Sequence, residues 1–382
     1  WDQHGQEYID CVAGQGVANL GHCHPIVVDA IQKQAKNLVT CPEIFYNDQR
    51  AELLEELSKL GPGTMKRSFL CNSGTEAIEA AIKFARISTK RTEIISALRS
   101  FHGRTMGALT LTGQKKYRTP FAPLLPGIKQ IPYNNSEALR NTVTQDTAAV
   151  ILEIIQGEGG VRPANIEFLQ DAQALCNEKG ALFIVDEVQT GLGRTGKMFG
   201  FEHGGIVPDI VTMAKGLTSS YIPLGAMGVS DAIAQHFREN VFWGGLTYNS
   251  HAFSLATADA VLDVIEEDGL VENAANLQSV MRSEMDRLIE KHPSVKAGRC
   301  IGLFGMMDLQ KNSRGEPLAP YNGSHPAMVA LGKAFMEAGL FTFVRWSSFM
   351  CNPPLCINEE ELRAGFAIID QCLGVTDEAF EG

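Results

Sequence analysis

The sequence predicts an α/β fold, a mostly parallel sheet covered by helices. Three observations predict it. Short apolar, β-branched runs such as Leu182-Phe183-Ile184-Val185 and Ile210-Val211-Thr212-Met213-Ala214 read as buried strands. Segments with helical spacing alternate with such runs through roughly residue 215, the pattern of a parallel sheet with crossover helices. Both runs also stop on polar residues, Asp186-Glu187-Val188-Gln189 and Lys215-Gly216, at the carboxyl ends where open α/β sheets bind ligands.

At 382 residues the chain exceeds a usual single core, so two domains or one large domain with an appendage are expected. The composition, 45% hydrophobic and 20% charged, is that of an ordinary globular protein. A formal charge of −11 without a basic run argues against nucleic acid. No stretch approaches the length of a membrane-spanning helix. The nine cysteines contain no C-x-x-C pair, which suits free thiols in a reducing cytoplasmic compartment. His22-Cys23-His24 offers metal-ligand residue types, but no second cluster stands at ligand spacing, and no metal is expected. Because the chain opens on Trp1 rather than Met, a preceding segment is expected.

In chain order, Asp2-Gln3-His4-Gly5 before Glu7-Tyr8-Ile9-Asp10 reads as a hairpin within Trp1 to Cys11. Apolar residues at helical spacing predict helices over Pro25 to Asn37 and Asp48 to Leu60. Arg67 to Cys71 is a short strand that breaks into Asn72-Ser73-Gly74-Thr75 before a helix over Glu76 to Ile87. Strand, small polar turn and helix start make an anion site, through free N–H groups and the helix dipole, or a plain N-cap. Strand Glu93 to Ala97 leads into the loop Ser100-Phe101-His102-Gly103-Arg104-Thr105, whose aromatic either covers a flat ring or simply packs. Ala148 to Ile155 is a buried strand running into Gln156-Gly157-Glu158-Gly159-Gly160. Glu153 inside it is costly to bury alone and should have a partner. A helix over Ile166 to Glu178, closed by Gly180, returns to the central strand. Beyond Gly216 come a Gly-rich aromatic loop, Trp243 to Tyr248, and a small-residue helical stretch, Asn249 to Ile265. A long amphipathic helix follows over Leu270 to Lys291. Strands Ile301 to Asp308 and Phe341 to Arg345 with helices Pro326 to Ala338 and Glu359 to Leu373 make an α+β unit.

Singly, a strand-end Asp is a cap and a lone Lys is solvated. Together, Asp186 and Lys215 at two strand tips suit pyridoxal phosphate, which needs a lysine for its Schiff base and an acid to keep its pyridine nitrogen protonated. A rival signal lies between them. Gly191-Leu192-Gly193-Arg194-Thr195-Gly196 fits the dinucleotide pattern G-x-G-x-x-G, which should open a helix. Gly200, Gly204, Gly205 and Pro208 leave little room for a crossover helix, so a turn-rich loop ranks ahead of a nicotinamide-dependent oxidoreductase.

Taken in order, Leu20-Gly21-His22-Cys23-His24-Pro25, Asn72-Ser73-Gly74-Thr75-Glu76-Ala77, Phe101-His102-Gly103-Arg104, Glu153 to Gly160, Asp186-Glu187-Val188-Gln189-Thr190-Gly191, Ala214-Lys215-Gly216 and Thr247-Tyr248 closely resemble the class III, pyridoxal-phosphate-dependent aminotransferases. The resemblance covers almost the whole chain. It implies a fold type I transferase: a mostly parallel seven-stranded sheet in a large domain over 47–271, and a smaller α+β domain over 272–382 that also takes in segment 1–46. It further implies a homodimer, or a dimer of dimers, with shared active sites. Lys215 matches the Schiff-base lysine and Asp186 the partner of the pyridine nitrogen. Ser73, Gly74 and Thr75 match the phosphate cradle, and Thr247 the residue that reaches the phosphate from the partner subunit. Phe101 and Val188 match the groups against the two ring faces, and Gln189 a contact to the phenolic oxygen. Glu153 and His102 match residues beside the cofactor. The implied reaction is ping-pong transfer of an amino group to a keto acid, without a metal.

The same resemblance bears on substrate. In the ornithine, acetylornithine and 4-aminobutyrate branches an arginine shortly before the C-terminal Pro-Pro-Leu pairs with the acid that Glu158 matches. Here Met350 occupies that position, in Phe349-Met350-Cys351-Asn352-Pro353-Pro354-Leu355. Arg345, eight residues before Pro353, resembles the arginine that binds the acid group in the ω-amino-acid:pyruvate, β-alanine and taurine aminotransferases. The resemblance thus implies a donor of the taurine or β-alanine type, with pyruvate or 2-oxoglutarate as acceptor and Arg345 and Glu158 near the substrate. The alternatives are an ornithine, acetylornithine or 4-aminobutyrate aminotransferase, or a pyridoxal-phosphate-dependent aminomutase or lyase.

Overall fold

The computed structural model describes residues 1–382 apart from Pro62 and Thr64. They form two compact units, one of Cys23–Leu192 with Lys197–Asp268, the other of Trp1–His22, Gly193–Gly196 and Gly269–Gly382.

The first unit is built on seven strands: β1 (Arg67–Cys71), β2 (Glu93–Ala97), β3 (Ile128–Ile131), β4 (Thr147–Glu153), β5 (Leu182–Asp186), β6 (Ile210–Met213) and β7 (Gly225–Val229). Their order across the sheet is β1-β7-β6-β5-β4-β2-β3. β2 pairs parallel with β3 and β4, β4 with β5 and β5 with β6, whereas β7 is antiparallel to both its neighbours. The mostly parallel α/β sheet is therefore as the sequence predicts. The central strands are mostly apolar, as suits a sheet covered by helices; β4, β6 and β7 are buried along their whole length.

Register places the chemistry. Glu153 pairs with Asp186, and Asp186 with Thr212, so three polar side chains line up in one row at the ends of β4, β5 and β6. Lys215 follows three residues after Thr212, past the end of β6.

Helices α1 (Pro25–Asn37) and α2 (Asp48–Leu60) have the predicted bounds. Helix α3 (Gly74–Thr89) starts two residues before the expected Glu76, because the Ser73 side chain caps it by accepting from the Glu76 N–H at 3.3 Å. Its Ile78, Ile82 and Ala85 pack with Ile94, Ile151 and Ile184 of the sheet in one core cluster. Helices α4 (Ile166–Lys179) and α5 (Ala252–Glu267) complete the longer helices of this unit. Between β5 and β6 the glycine-rich stretch makes turns and a short 3-10 segment, Gly200–Gly204, rather than a crossover helix. The geometry that a dinucleotide fingerprint requires is absent there.

The second unit carries an antiparallel sheet of β8 (Val295–Ile301), β9 (Phe304–Leu309), β10 (Val344–Arg345) and β11 (Ser348–Cys351), in the order β8-β9-β11-β10. The single strand expected at 301–308 is thus two, turned at Gly302, whose φ of +56° suits glycine. Helix α6 (Leu270–Lys291), with the predicted bounds, packs on β8 through Met285, whose Cβ would lie 2.9 Å from a Cβ on Gly298. Helices α7 (Pro326–Glu337) and α8 (Glu359–Cys372) follow.

A second expectation changes in this unit. The N-terminal hairpin is not formed: Asp2 and Gln6 close a turn, but Ile9–Asp10 pairs parallel with Leu340–Phe341, so the strand finds a partner from the far end of the chain. Arg194, inside the glycine-rich pattern, is fully buried and holds the unit together. Its guanidinium donates to the Leu303 carbonyl (3.1 Å), the Pro353 carbonyl and Asn19 Oδ1 (2.9 Å). Burial without a carboxylate at hydrogen-bond distance pushes its pKa down to about 10.

Candidate active site

The site is organised by Asp186, at the tip of β5 and buried. Oδ2 accepts from His102 Nδ1 at 2.7 Å, and Oδ1 accepts from the Val188 N–H at 3.0 Å and the Thr212 hydroxyl at 3.4 Å. An acid held by donors on both oxygens stays fixed in orientation. His102 comes from the loop after β2. Burial works against a charge on its ring, yet the hydrogen bond to Asp186 and the negative charges of Asp186 and Glu153 raise its pKa overall. Its Nε2 is buried with no hydrogen-bond partner among the described residues.

Lys215 lies at the start of a short 3-10 turn with φ +49°, a left-handed conformation rare for a lysine. Its ammonium donates to Gln189 Oε1, and Gln189 is three residues beyond Asp186. The amine and the acid are therefore joined through one short turn, Asp186-Glu187-Val188-Gln189. That turn is anchored from behind by Glu187, whose carboxylate accepts from Thr190 Oγ1 and from the N–H groups of Gly200 (3.0 Å) and Phe201 (2.7 Å). Burial pushes the Glu187 carboxyl up to about 7.

Val188 closes over Gly74. A Cβ on Gly74 would stand 2.8 Å from Val188 Cγ1, so only glycine lets the helix start come this close. At that helix start Ser73 caps Glu76 and the Ala77 N–H closes on the Ser73 carbonyl. The first-turn N–H groups of Gly74 and Thr75 remain for an outside acceptor. The Thr75 hydroxyl is engaged elsewhere. It accepts from the N–H groups of Arg104 (3.2 Å) and Thr105 (3.3 Å). Its own hydrogen goes to Thr105 Oγ1, which spends its proton on Glu79. Gly103 makes the approach possible, since a Cβ there would lie 2.3 Å from Thr75 Oγ1.

Phe101, beside His102, meets Tyr117 edge-on at 6.0 Å, and the Arg104 guanidinium lies 5.2 Å over Phe101 and 4.1 Å over Tyr117. Sequence reading gave no role in this cluster to Tyr117, or to Arg104 despite its place in the Phe101-His102-Gly103-Arg104 motif. The Arg directly following Phe101-His102-Gly103 was the available signal for one, while nothing in Lys115-Lys116-Tyr117-Arg118 marks the other. Glu153 Oε1 accepts from the Phe101 N–H at 2.9 Å and Oε2 from the Gly157 N–H at 3.2 Å. Ser73, Gly74, Thr75, Phe101, His102, Glu153, Asp186, Val188, Gln189 and Lys215 all belong to this one unit. Thr247 lies exposed in its 241–248 loop, and Glu158 in the turn after Gln156. Arg345 belongs to the other unit, on β10, with its guanidinium 5.5 Å from the centre of the Phe343 ring. Met350 is buried in β11, paired with Met306. Among the described residues no cluster of His, Cys, Asp and Glu could hold a metal ion. None of the described helices is long and apolar enough to cross a membrane.

The donor set fits pyridoxal phosphate. It offers a doubly held carboxylate, a nearby primary amine, an open helix end floored by Gly74, and an aromatic ring beside an orphaned imidazole nitrogen. Comparison with known proteins agrees: the profile of the aminotransferase class-III family matches residues 1–373. The chain belongs to the class III aminotransferases. Members of that family depend on pyridoxal phosphate and act on amines and keto acids.

This aminotransferase is 40% identical over 382 residues to an acetylornithine aminotransferase of Caldanaerobacter subterraneus subsp. tengcongensis, covering 98% of this chain and 92% of that one. It is 44% identical over 323 residues to a LysW-aminoadipate semialdehyde transaminase of Deinococcus radiodurans, covering 84% of this chain and 73% of that one. The fold superposes with a TM-score of 0.93 on a taurine:2-oxoglutarate aminotransferase of Bifidobacterium kashiwanohense, solved with pyridoxal phosphate and glutamate. The identity there is 32%, covering 99% of this chain and 91% of that one. The fold is thus that of the fold type I transferases, as the motifs implied.

Proposed function

We propose that this class III aminotransferase binds pyridoxal phosphate on Lys215 and moves the amino group of a terminal amine, on a chain that also carries an acid group, to a keto acid. The observation that carries the reading is the short turn joining Asp186 to the Gln189 amide that receives the Lys215 ammonium. Bound there, pyridoxal phosphate supplies a protonated pyridine ring that accepts the electron pair of a breaking bond at the substrate carbon. Asp186 holds the proton on the ring nitrogen, and His102 keeps Asp186 turned toward it. Phe101 and Val188 hold the ring on its two faces, while the N–H groups of Gly74 and Thr75, next to Ser73, take phosphate oxygens. Lys215 would hold the cofactor through its amine and, with that amine free, would serve as the general base that moves the proton of the substrate carbon. Gln189 guides the amine on that path.

For the substrate, the curated relatives favour a reading of the acetylornithine type over the taurine and β-alanine type first suggested by Arg345. The second reading keeps one specific observation in its favour. Met350, a buried thioether, stands where the acetylornithine branch carries an arginine, so a carboxylate held by that arginine would have no cation there. On this reading Arg345 takes the acid group through its planar fork.

A second copy of the chain supports the site in this reading. Ile44, Phe45, Tyr46, Val241, Trp243 and Tyr248 are exposed, Tyr46 at 100% and Trp243 at 91%. Their two loops are tied together by Arg50 donating to Ser250 Oγ at 2.8 Å and by Asn249 donating to Glu43. An apolar surface of this kind calls for a protein partner, and on this reading Thr247, exposed in the same loop, serves a neighbouring copy's phosphate.

Three measurements test these statements. The purified protein mixed with pyridoxal phosphate should gain the visible absorbance of lysine-bound cofactor and lose it on adding an amine. Lys215→Ala should show neither change, and a variant that retains both removes Lys215 from its role. Sedimentation should give a dimer or larger assembly; a fully active monomer refutes the shared site. A donor panel should rank acetylornithine above taurine and β-alanine if the relatives guide correctly. The reverse order, with Arg345→Ala raising the KM of the keto acid about tenfold while sparing uncharged amines, selects the second reading.

A further inference from the structure

Glu153 is a buried acid that the proposed mechanism does not use. Its two oxygens reach different turns: Oε1 takes the Phe101 N–H at 2.9 Å, and Oε2 the Gly157 N–H at 3.2 Å. One turn carries the ring-stacking Phe101 and the Asp186 partner His102; the other carries Glu158. Glu153 is also the direct sheet neighbour of Asp186. The ionisable groups facing it are Asp186 from β5, His102 from the loop after β2, and Tyr133 after β3, whose hydroxyl donates to the Glu153 carbonyl at 2.7 Å. Two carboxylates and one imidazole thus share a buried space, with the imidazole bonded to only one of them.

We propose that Glu153 is a positioning residue that locks the Phe101 turn to the Gly157 turn and, as the second acid beside His102, sets the charge that the His102–Asp186 pair presents to the cofactor ring. This rests on the pyridoxal phosphate reading above and names a part of that site which the reaction itself does not touch. The geometry distinguishes it from a space-filler. A purely structural carboxyl would need only its two N–H donors, whereas Glu153 adds charge where one acid, Asp186, already stands. Its protonation state therefore matters. Burial pushes its carboxyl up to about 7, with the charge on Asp186 acting in the same direction. The charge on His102 and the N–H groups of Phe101 and Gly157 pull it back down.

The sign of the resulting pH dependence follows. The folded protein holds a proton on Glu153 that the unfolded chain has already released, so stability falls as pH rises from the ordinary carboxyl value toward about 7, then levels. His102, with its pKa raised, contributes stability at low pH that is lost as pH rises further, through its folded value.

Thermal unfolding of the ligand-free protein from about pH 5 to about pH 9, on wild type, Glu153→Gln and His102→Gln, tests this. The stability of wild type minus that of Glu153→Gln should fall with rising pH and level above about 7. His102→Gln, lacking the positive ring, should move the Glu153-linked part of the curve to higher pH. Titration with pyridoxal phosphate, followed by visible absorbance, should give about tenfold weaker binding for Glu153→Gln, because one of the two turn contacts is lost. Parallel stability curves for wild type and Glu153→Gln, or unchanged cofactor affinity, overturn the role of Glu153. If Glu153→Gln does not fold, a His102→Gln curve superposing on wild type overturns it equally. Wild-type protein that takes up no pyridoxal phosphate sinks the cofactor reading instead, a separate and visible failure.

Discussion

The contact between Asp186 and His102, 2.7 Å long and buried at the end of the central strand, is the constraint on which the site depends. A carboxylate in that place is costly unless its oxygens are all occupied. The fold meets the cost with parallel register. β6 brings Thr212 to one side of Asp186, β4 brings Glu153 to the other, and the loop after β2 delivers His102 from two strands away. Moving β5 by one residue would turn Asp186 to the opposite face and break all three relations at once. The sheet is therefore what makes a buried acid tolerable, and the acid is what gives the sheet end its chemistry.

Close approach is the second requirement, and glycine supplies it. Val188 can cover the start of α3 only because Gly74 has no side chain, and Thr75 can take two N–H groups only because Gly103 has none. These contacts bring the open helix end, the Asp186 turn and the Phe101 loop into one small volume. Lys215 enters the same volume through a left-handed backbone conformation, a local cost borne at a site where the amine must point in one direction.

Much of this was legible in the sequence, for identifiable reasons. The strands of the large sheet that are apolar and β-branched, such as Leu182 to Val185, announced themselves, and the long amphipathic helices were read to their end residues. β7 was not legible. Its sequence, Gly225-Ala226-Met227-Gly228-Val229, carries two glycines in place of a β-branched run, because Gly225 passes the Ser73 carbonyl and Gly228 passes Met65, where a Cβ would stand 2.5 Å and 2.2 Å from the nearest atoms. The pairing of Ile9–Asp10 with Leu340–Phe341 escaped because it joins the two ends of the chain, while the local turn signal at Asp2 to Gly5 was real. In the site, Asp186 and Lys215 stood out as polar residues closing apolar runs. The bond between His102 and Asp186 spans 84 positions, and no local pattern encodes it. Glu153 was visible as an acid in an apolar run and, through the resemblance, as a residue beside the cofactor, but neither reading named its partners.

Replacing Asp186 by Asn tests the central claim most directly, since it keeps the shape of the side chain and removes its charge. Stopped-flow measurement of the rate at which bound cofactor consumes an amine donor isolates the step that needs the protonated ring. With Asp186 holding that proton, Asp186→Asn should slow the step on the order of a thousandfold, about 4 kcal/mol, while the cofactor stays bound to Lys215. A variant that consumes the amine at close to the wild-type rate would contradict the account and reduce Asp186 to a turn residue.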